Sequence, residues 1–169
     1  MKIRRATPDD APAIARVHVR SWQAAYRGLI DDDFLDALRP QDRVSIYEFG
    51  AAADGETETI VAEAGGEVVG FAAFGPSRDA DAAGAGELFA LYLDPDRTGT
   101  GIGRELLLES RRRLAASGFG DGVLWVLRGN EEAERFYAAD GWRPDGVTRE
   151  EDPYGPRVEV RRFRRPLRD

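Results

Sequence analysis

The stretch Asp94–Arg104, DPDRTGTGIGR, sets Gly99, Gly101 and Gly103 at alternate positions between an apolar run and a segment of helical periodicity. A strand-to-helix junction of this kind leaves backbone N–H groups without helical acceptors, and the helix dipole adds to their pull on an anion. Glycines there let a phosphate lie against the backbone. Two common phosphate patterns do not fit. A Walker loop requires G-x-x-x-x-G-K-[ST], but Arg104 stands five residues after Gly99 and the loop has no lysine. The dinucleotide pattern G-x-G-x-x-G meets Arg104 and Leu106 at its third-glycine places. Nucleotide hydrolysis and hydride transfer are unsupported.

A second constellation is NEEAERFYAADGW, Asn130 to Trp142. Asn130 is suited to cap a helix, with Glu131 and Glu132 set against its dipole. Tyr137 lies seven residues on, about 20° around the helix, so Asn130, Ala133 and Tyr137 share a face. What is missing narrows the chemistry further. With no cysteine and a single histidine, His18, there is no Cys nucleophile or thiolate metal site, and a Ser-His-Asp relay would depend on His18 alone. Catalysis must rest on Tyr, Asp, Glu, Ser, Thr, Lys, Arg or backbone groups, and no metal is expected.

The run RTGTGIGR after a strand ending in Leu-Asp-Pro, followed by Asn130–Trp142 after the strand VLWVL, resembles the two motifs of the GCN5-related N-acetyltransferases. These are written Q/R-x-x-G-x-G/A and N-x-x-A-x-x-F-Y-x-x-x-G-[FW]. Aligned on Gly101 and Gly103, the first motif begins at Thr98, with the arginine one place early at Arg97. That departure touches the side-chain contact of the motif and leaves its backbone cradle. The resemblance covers most of the chain and is strongest from Glu87 to Trp142.

The resemblance implies acetyl-CoA as acyl donor and direct attack by a primary amine of a small molecule or peptide. Leu91, Tyr92 and Leu93 would hold the pantetheine arm. The pyrophosphate would lie along Arg97, Thr98, Gly99, Thr100, Gly101, Ile102, Gly103 and Arg104, with Asn130, Ala133 and Phe136 completing the donor side. Tyr137 matches the acid that protonates the departing thiolate. An alkylamine with a pKa near 10.4 needs a base, for which Glu87 is the candidate ahead of Asp94. His18, Trp22 and Tyr26 form a stripe on the first helix that serves either the core or the acceptor cleft. A non-catalytic acyl-CoA-binding sensor and a protein-interaction module are the alternatives, and a homodimer is reasonable for the family.

Elements must hold these groups in place. A strand at Ile3–Ala6 precedes a helix whose Ala11, Ile14, Ala15, His18, Trp22, Ala25 and Tyr26 recur on one face. Gly28 breaks it, Asp31–Asp33 start a second helix over Phe34–Leu38, and a short helix is expected over about Gln41–Phe49. Strands at Thr59–Glu63 and Glu67–Phe74 form a hairpin on Gly65-Gly66, and residues 75–87 read as a mobile loop. The apolar run Leu88–Leu93 suits a strand covered on both faces. A helix over Gly103–Ser117, with Ile102, Leu106 and Leu114 along one side, leads to a strand at Val123–Leu127. A helix at Glu131–Asp140 and strands near Arg143–Thr148 and Val158–Phe163 complete the order. The fold expected is α/β: a mixed, mostly antiparallel central sheet of about seven strands with a splayed parallel pair and helices on both faces. A single domain spans 1–169.

The composition agrees, with 42% hydrophobic and 33% charged residues and no apolar run near the roughly 20 residues of a membrane span. A net charge of −7 speaks against nucleic acid as the main partner and suits a cationic substrate. Without a signal-like segment, the cytoplasm is expected. Near-exclusive use of arginine over lysine resembles the coding bias of a high-GC bacterium. The tail PRVEVRRFRRPLRD carries six arginines, read as a strand with a solvated basic face.

Overall fold

The computed structural model describes residues 1–47, 56–152 and 157–168. Its strands are β1 (Lys2–Arg5), β2 (Glu58–Ala64), β3 (Glu67–Pro76), β4 (Gly86–Leu93), β5 (Asp121–Leu127), β6 (Arg143–Glu151) and β7 (Val158–Pro166). Its helices are α1 (Ala11–Ala25), α2 (Asp32–Ala37), α3 (Val44–Tyr47), α4 (Ile102–Ala116) and α5 (Glu131–Ala139). The strands form one sheet in the order β1-β2-β3-β4-β5-β7-β6, antiparallel throughout except for the β4–β5 pair. The expected mixed sheet is thus present. Among the described residues no helix is long and apolar enough to cross a membrane.

Helices cover both faces. On one, Ile102, Leu106, Leu107 and Leu114 of α4 pack on Ile60, Ala72, Leu88 and Leu124. Full burial of each such leucine is worth about 1.5–3 kcal/mol, so this stripe fixes α4; surface pairs such as Arg112 with Glu109, screened by water, add little. Ala133, Phe136 and Tyr137 of α5 lie against the same cluster. The opposite face is covered by α1 and α2 through Ile14, Val17, Val19, Trp22 and Leu35.

Three expectations change. Residues 77–85 are not a free loop: Asp79 accepts hydrogen bonds from Trp125 Nε1 (3.0 Å) and Arg149 Nη1 (2.8 Å), and Ala82 and Ala85 are buried against Val123. Small polar letters hid an anchor that only distant residues supply. The C-terminal arginines do not form a solvated face either. Arg162 is 4% exposed and pairs with Asp79, Asp81 and Asp145, while Arg161, Arg164 and Arg165 pair with Glu134, Asp121 and Asp140. Finally, β4 is buried only over Gly86–Leu88; Phe89–Leu93 are half-buried because they border a cleft.

Smaller shifts concern boundaries. β1 runs Lys2–Arg5 rather than Ile3–Ala6, and α4 begins at Ile102 rather than Gly103. The short helix expected over 41–49 splits into a 3-10 turn at Pro40–Asp42 and α3, and residues 48 and 49 lie outside the described residues.

Candidate active site

β4 and β5 pair only over Gly86–Leu88 and Gly122–Leu124. Beyond Leu88 the two strands diverge, and the cause is local. Ala73 opposes Ala90 while Phe74 opposes Leu88, so Phe89 is an extra residue in β4 and forms a β-bulge. Among the described residues, no strand pairs with the edge of Phe89–Leu93 that turns away from β3. Between it and Leu124–Leu127 opens a cleft of about 440 Å³.

The floor of the cleft at one end is the glycine loop. Gly101 caps α4, whose first internal bond runs from Glu105 N to Gly101 O (3.2 Å). The N–H groups of Ile102, Gly103 and Arg104 therefore precede the helical ladder. Gly99 and Gly101 have φ of +74° and +88°, and a Cβ built on either would meet nothing within 4 Å. These two glycines serve a left-handed backbone that faces open space, where an anion fits. Gly103 differs: its Cβ would lie 3.1 Å from Leu93 Cδ1 and 3.6 Å from Phe136, so its missing side chain lets α4 seat on β4.

α5 forms the side wall. Asn130 Oδ1 accepts from Ala133 N (3.2 Å), the expected N-cap, and Asn130, Ala133, Phe136 and Tyr137 all line the cleft. Tyr137 is wedged edge-on against Phe136 (ring centroids 5.1 Å) and Trp142 (6.4 Å). Burial and the neighbouring Tyr92 push its phenol pKa well up, so the hydroxyl keeps its proton across the neutral range. Tyr26, at the C-cap of α1, is raised likewise, by burial first and then by Tyr92. Three phenols thus converge on one wall.

The sequence-derived residues separate into two groups. Leu91, Tyr92, Leu93, Thr98, Gly99, Gly101, Gly103, Arg104, Asn130, Ala133, Phe136, Tyr137 and Tyr26 line the cleft. His18 and Trp22 do not. They pack against Tyr92 with centroids at 5.6 and 6.3 Å, and are 3% and 7% exposed, the burial of core residues. Burial, helped by the charge of Arg43, lowers the His18 pKa to about 4 and leaves the ring neutral. Ile102 is buried in the first turn of α4, and Thr100 Oγ1 donates to the Arg97 carbonyl (2.5 Å) while the Arg97 side chain is exposed. Thr98, at the motif's first place, turns its hydroxyl onto Pro95 O (3.1 Å). Asp94 accepts from Asp96 N (3.0 Å) and pairs with Arg20, a structural role that ends β4.

Glu87 is 6% exposed and does not itself line the cleft. It lies beside cleft residues Leu88 and Phe89, with Ser77 Oγ donating to its Oε1 (3.1 Å). Burial, and then the charge of Asp79, raise its pKa to about 7 against the opposing pull of Ser77 and Arg149. A carboxyl poised near neutrality can accept a proton under ordinary conditions. Sequence reading missed Ser21, Ala25, Trp125 and Glu132 as cleft residues. Ala25 and Ser21 could have been found, since Ala25 adjoins Tyr26 and Ser21 stands one turn before Ala25; nothing in the sequence points to Trp125.

A strand edge, the first amides of a helix and a protonated phenol thus meet around one cleft, an arrangement that can receive an anion and donate a proton. The sequence profile of the Acetyltransferase (GNAT) family matches residues 18–142. An uncharacterized N-acetyltransferase of Bacillus subtilis is 33% identical, covering 76% of this chain and 72% of its own. A spermidine N(1)-acetyltransferase of Thermoplasma acidophilum is 25% identical, covering 85% and 88%. The crystal structure of the PaiA N-acetyltransferase of Thermoplasma acidophilum with coenzyme A superimposes with a TM-score of 0.73 at 23% identity, over 95% of this chain and 96% of that one. The chain belongs to the GNAT acetyltransferase family, and it is an acetyl-CoA-dependent enzyme of that class.

Proposed function

We propose that residues 1–169 form a single domain that transfers the acetyl group of acetyl-CoA to the primary amine of a small molecule or peptide by direct attack. One observation carries the reading: the edge of Phe89–Leu93 that no described strand covers, the first turn of α4 and Tyr137 all border a single cleft. The spermidine-acetylating relative supports a diffusible cationic amine, and the net charge of −7 favours its approach. We further propose a bacterial, cytoplasmic protein that forms a homodimer, the last on the family resemblance alone.

The residues then divide the work. Backbone groups of Leu91–Leu93 bind the pantetheine arm as an added strand would, and the amides of Ile102–Arg104 hold the pyrophosphate. A backbone N–H of β4 stabilises the negative charge that builds on the thioester oxygen, a contribution of about 3 kcal/mol for a single well-aimed donor. Glu87 takes the proton of the attacking amine, through water because it is set back from the cleft. Tyr137 donates its proton to the departing sulfur. Its raised pKa does not disqualify it, because the burial that raises a phenol raises a thiolate beside it as well.

Release of free thiol from acetyl-CoA with polyamines, aminoglycosides, amino acids and short peptides tests the reading. Turnover with one amine class supports it. Acetyl-CoA bound without turnover would favour the sensor, for which Thr98 at the motif's first place is the motivating feature. For Glu87→Gln we expect a large loss of kcat. In the wild type kcat/KM should fall about tenfold per pH unit below 7, where Glu87 becomes protonated, and this limb should vanish in the variant. Gly101→Val should weaken acetyl-CoA binding about tenfold by calorimetry. A side chain in the left-handed region costs about 1–2 kcal/mol, and a loop that moves to relieve it withdraws the amides.

A further inference from the structure

Behind the cleft wall the sheet face that carries Glu87 also carries Trp125, Arg149 and Arg162, and residues 77–85 close over them. Asp79, whose side chain is 6% exposed, is the centre of this group. Its Oδ2 accepts from Trp125 Nε1 (3.0 Å) and Arg162 Nη1 (3.3 Å), and its Oδ1 from Arg149 Nη1 (2.8 Å). Its backbone N–H donates to Ser77 Oγ (3.2 Å), which in turn donates to Glu87 Oε1 (3.1 Å). The Arg149 guanidinium lies 3.8 Å from the Trp125 ring centroid, and Trp125 lines the cleft.

We propose that Asp79 is a positioning residue for acetyl transfer: its carboxylate anchors the Trp125 wall and its backbone N–H, through Ser77, holds the carboxyl of Glu87 in place. The inference rests on the reading of Glu87 as the base. The Asp79 side chain holds the wall and its backbone N–H, through Ser77, reaches the base, so one residue bears on both.

The charges around Glu87 give the proposal its sign. Asp79 disfavours ionisation of Glu87, whereas Arg149 of β6, the Ser77 hydroxyl and the Arg78 backbone N–H favour it. Arg162 of β7 is held by Asp79, Asp81 and Asp145, and Arg149 is shared with Glu151. Asp79→Asn removes the repelling charge and frees Arg149, and both changes pull Glu87 toward its ordinary range. Arg149→Met removes an attracting charge and acts the other way.

Carbon-13 NMR of glutamate side-chain carboxyls, with Glu87 assigned as the resonance missing in Glu87→Gln, reads this without an acceptor. In the wild type the midpoint is expected near pH 7. Asp79→Asn should lower it by about one pH unit, and Arg149→Met should raise it. Retention of the Trp125 indole N–H resonance in Asp79→Asn would show that the amide keeps the wall anchored. An unmoved Glu87 midpoint in folded Asp79→Asn and Arg149→Met would overturn the proposal. Should Asp79→Asn not fold, the exposed Arg149→Met decides alone. Failure of the base itself is read separately: full thiol release by Glu87→Gln would end that reading whatever the midpoints.

Discussion

Tyr137→Phe is expected to lower kcat by about 10²–10⁴-fold, the range that a positioned proton donor supplies, while acetyl-CoA binds with nearly unchanged Kd. The substitution deletes one oxygen. The ring that packs edge-on against Phe136 and Trp142 stays, so the wall of the cleft keeps its shape. The loss should therefore fall on the chemical step and not on donor binding. Thiol release at saturating acetyl-CoA, with calorimetry for Kd, separates the two. Wild-type turnover in the variant would remove Tyr137 from the mechanism, and a parallel loss of binding would make it a wall residue only.

Trp142→Ala should cost about 3–5 kcal/mol of stability, measured as the shift in urea unfolding. Trp142 is 1% exposed, and the chain is shaped around it: a Cβ at Gly122 would come within 2.9 Å of its ring. Its Nε1 donates to Asp140 Oδ2 (3.0 Å), and that carboxylate also holds Arg111 and Arg165. Alanine leaves a cavity behind Tyr137 and removes a ring contact that holds it, so activity should fall even where the protein remains folded. Trp142→Phe keeps much of the packing and should be milder on both counts. A loss below about 1 kcal/mol in the alanine variant would mean that the site collapses around the gap.

The site was legible where it is written in consecutive residues. The glycine loop, the Asn130 cap and the Tyr137 face each follow from spacing along one turn or one helix. The structure keeps them, with the refinement that Gly103 answers to packing and not to an anion. For His18 and Trp22 the sequence left two readings, because an apolar stripe on a helix looks the same whether it borders a cleft or fills a core. Their burial against Tyr92 is visible only in the tertiary structure. Residues 77–85 misled, since small polar letters carry no mark of the partners that bury Asp79.

Local letters by themselves determined the elements, the strand-helix-strand unit from β4 to β5 and the presence of both motifs, because periodicity and capping act within a few residues. The tertiary structure decided the face on which Glu87 lies. By plain alternation Glu87 would share a face with Leu91 and Leu93. The bulge at Phe89 reverses the count, so Leu91 and Leu93 turn to α4 while Ala90 and Tyr92 turn to α1, the side of Glu87. The same extra residue ends the β4–β5 pairing and opens the cleft. A bulge is set by the register of two strands against each other, and a register exists only once the sheet has formed.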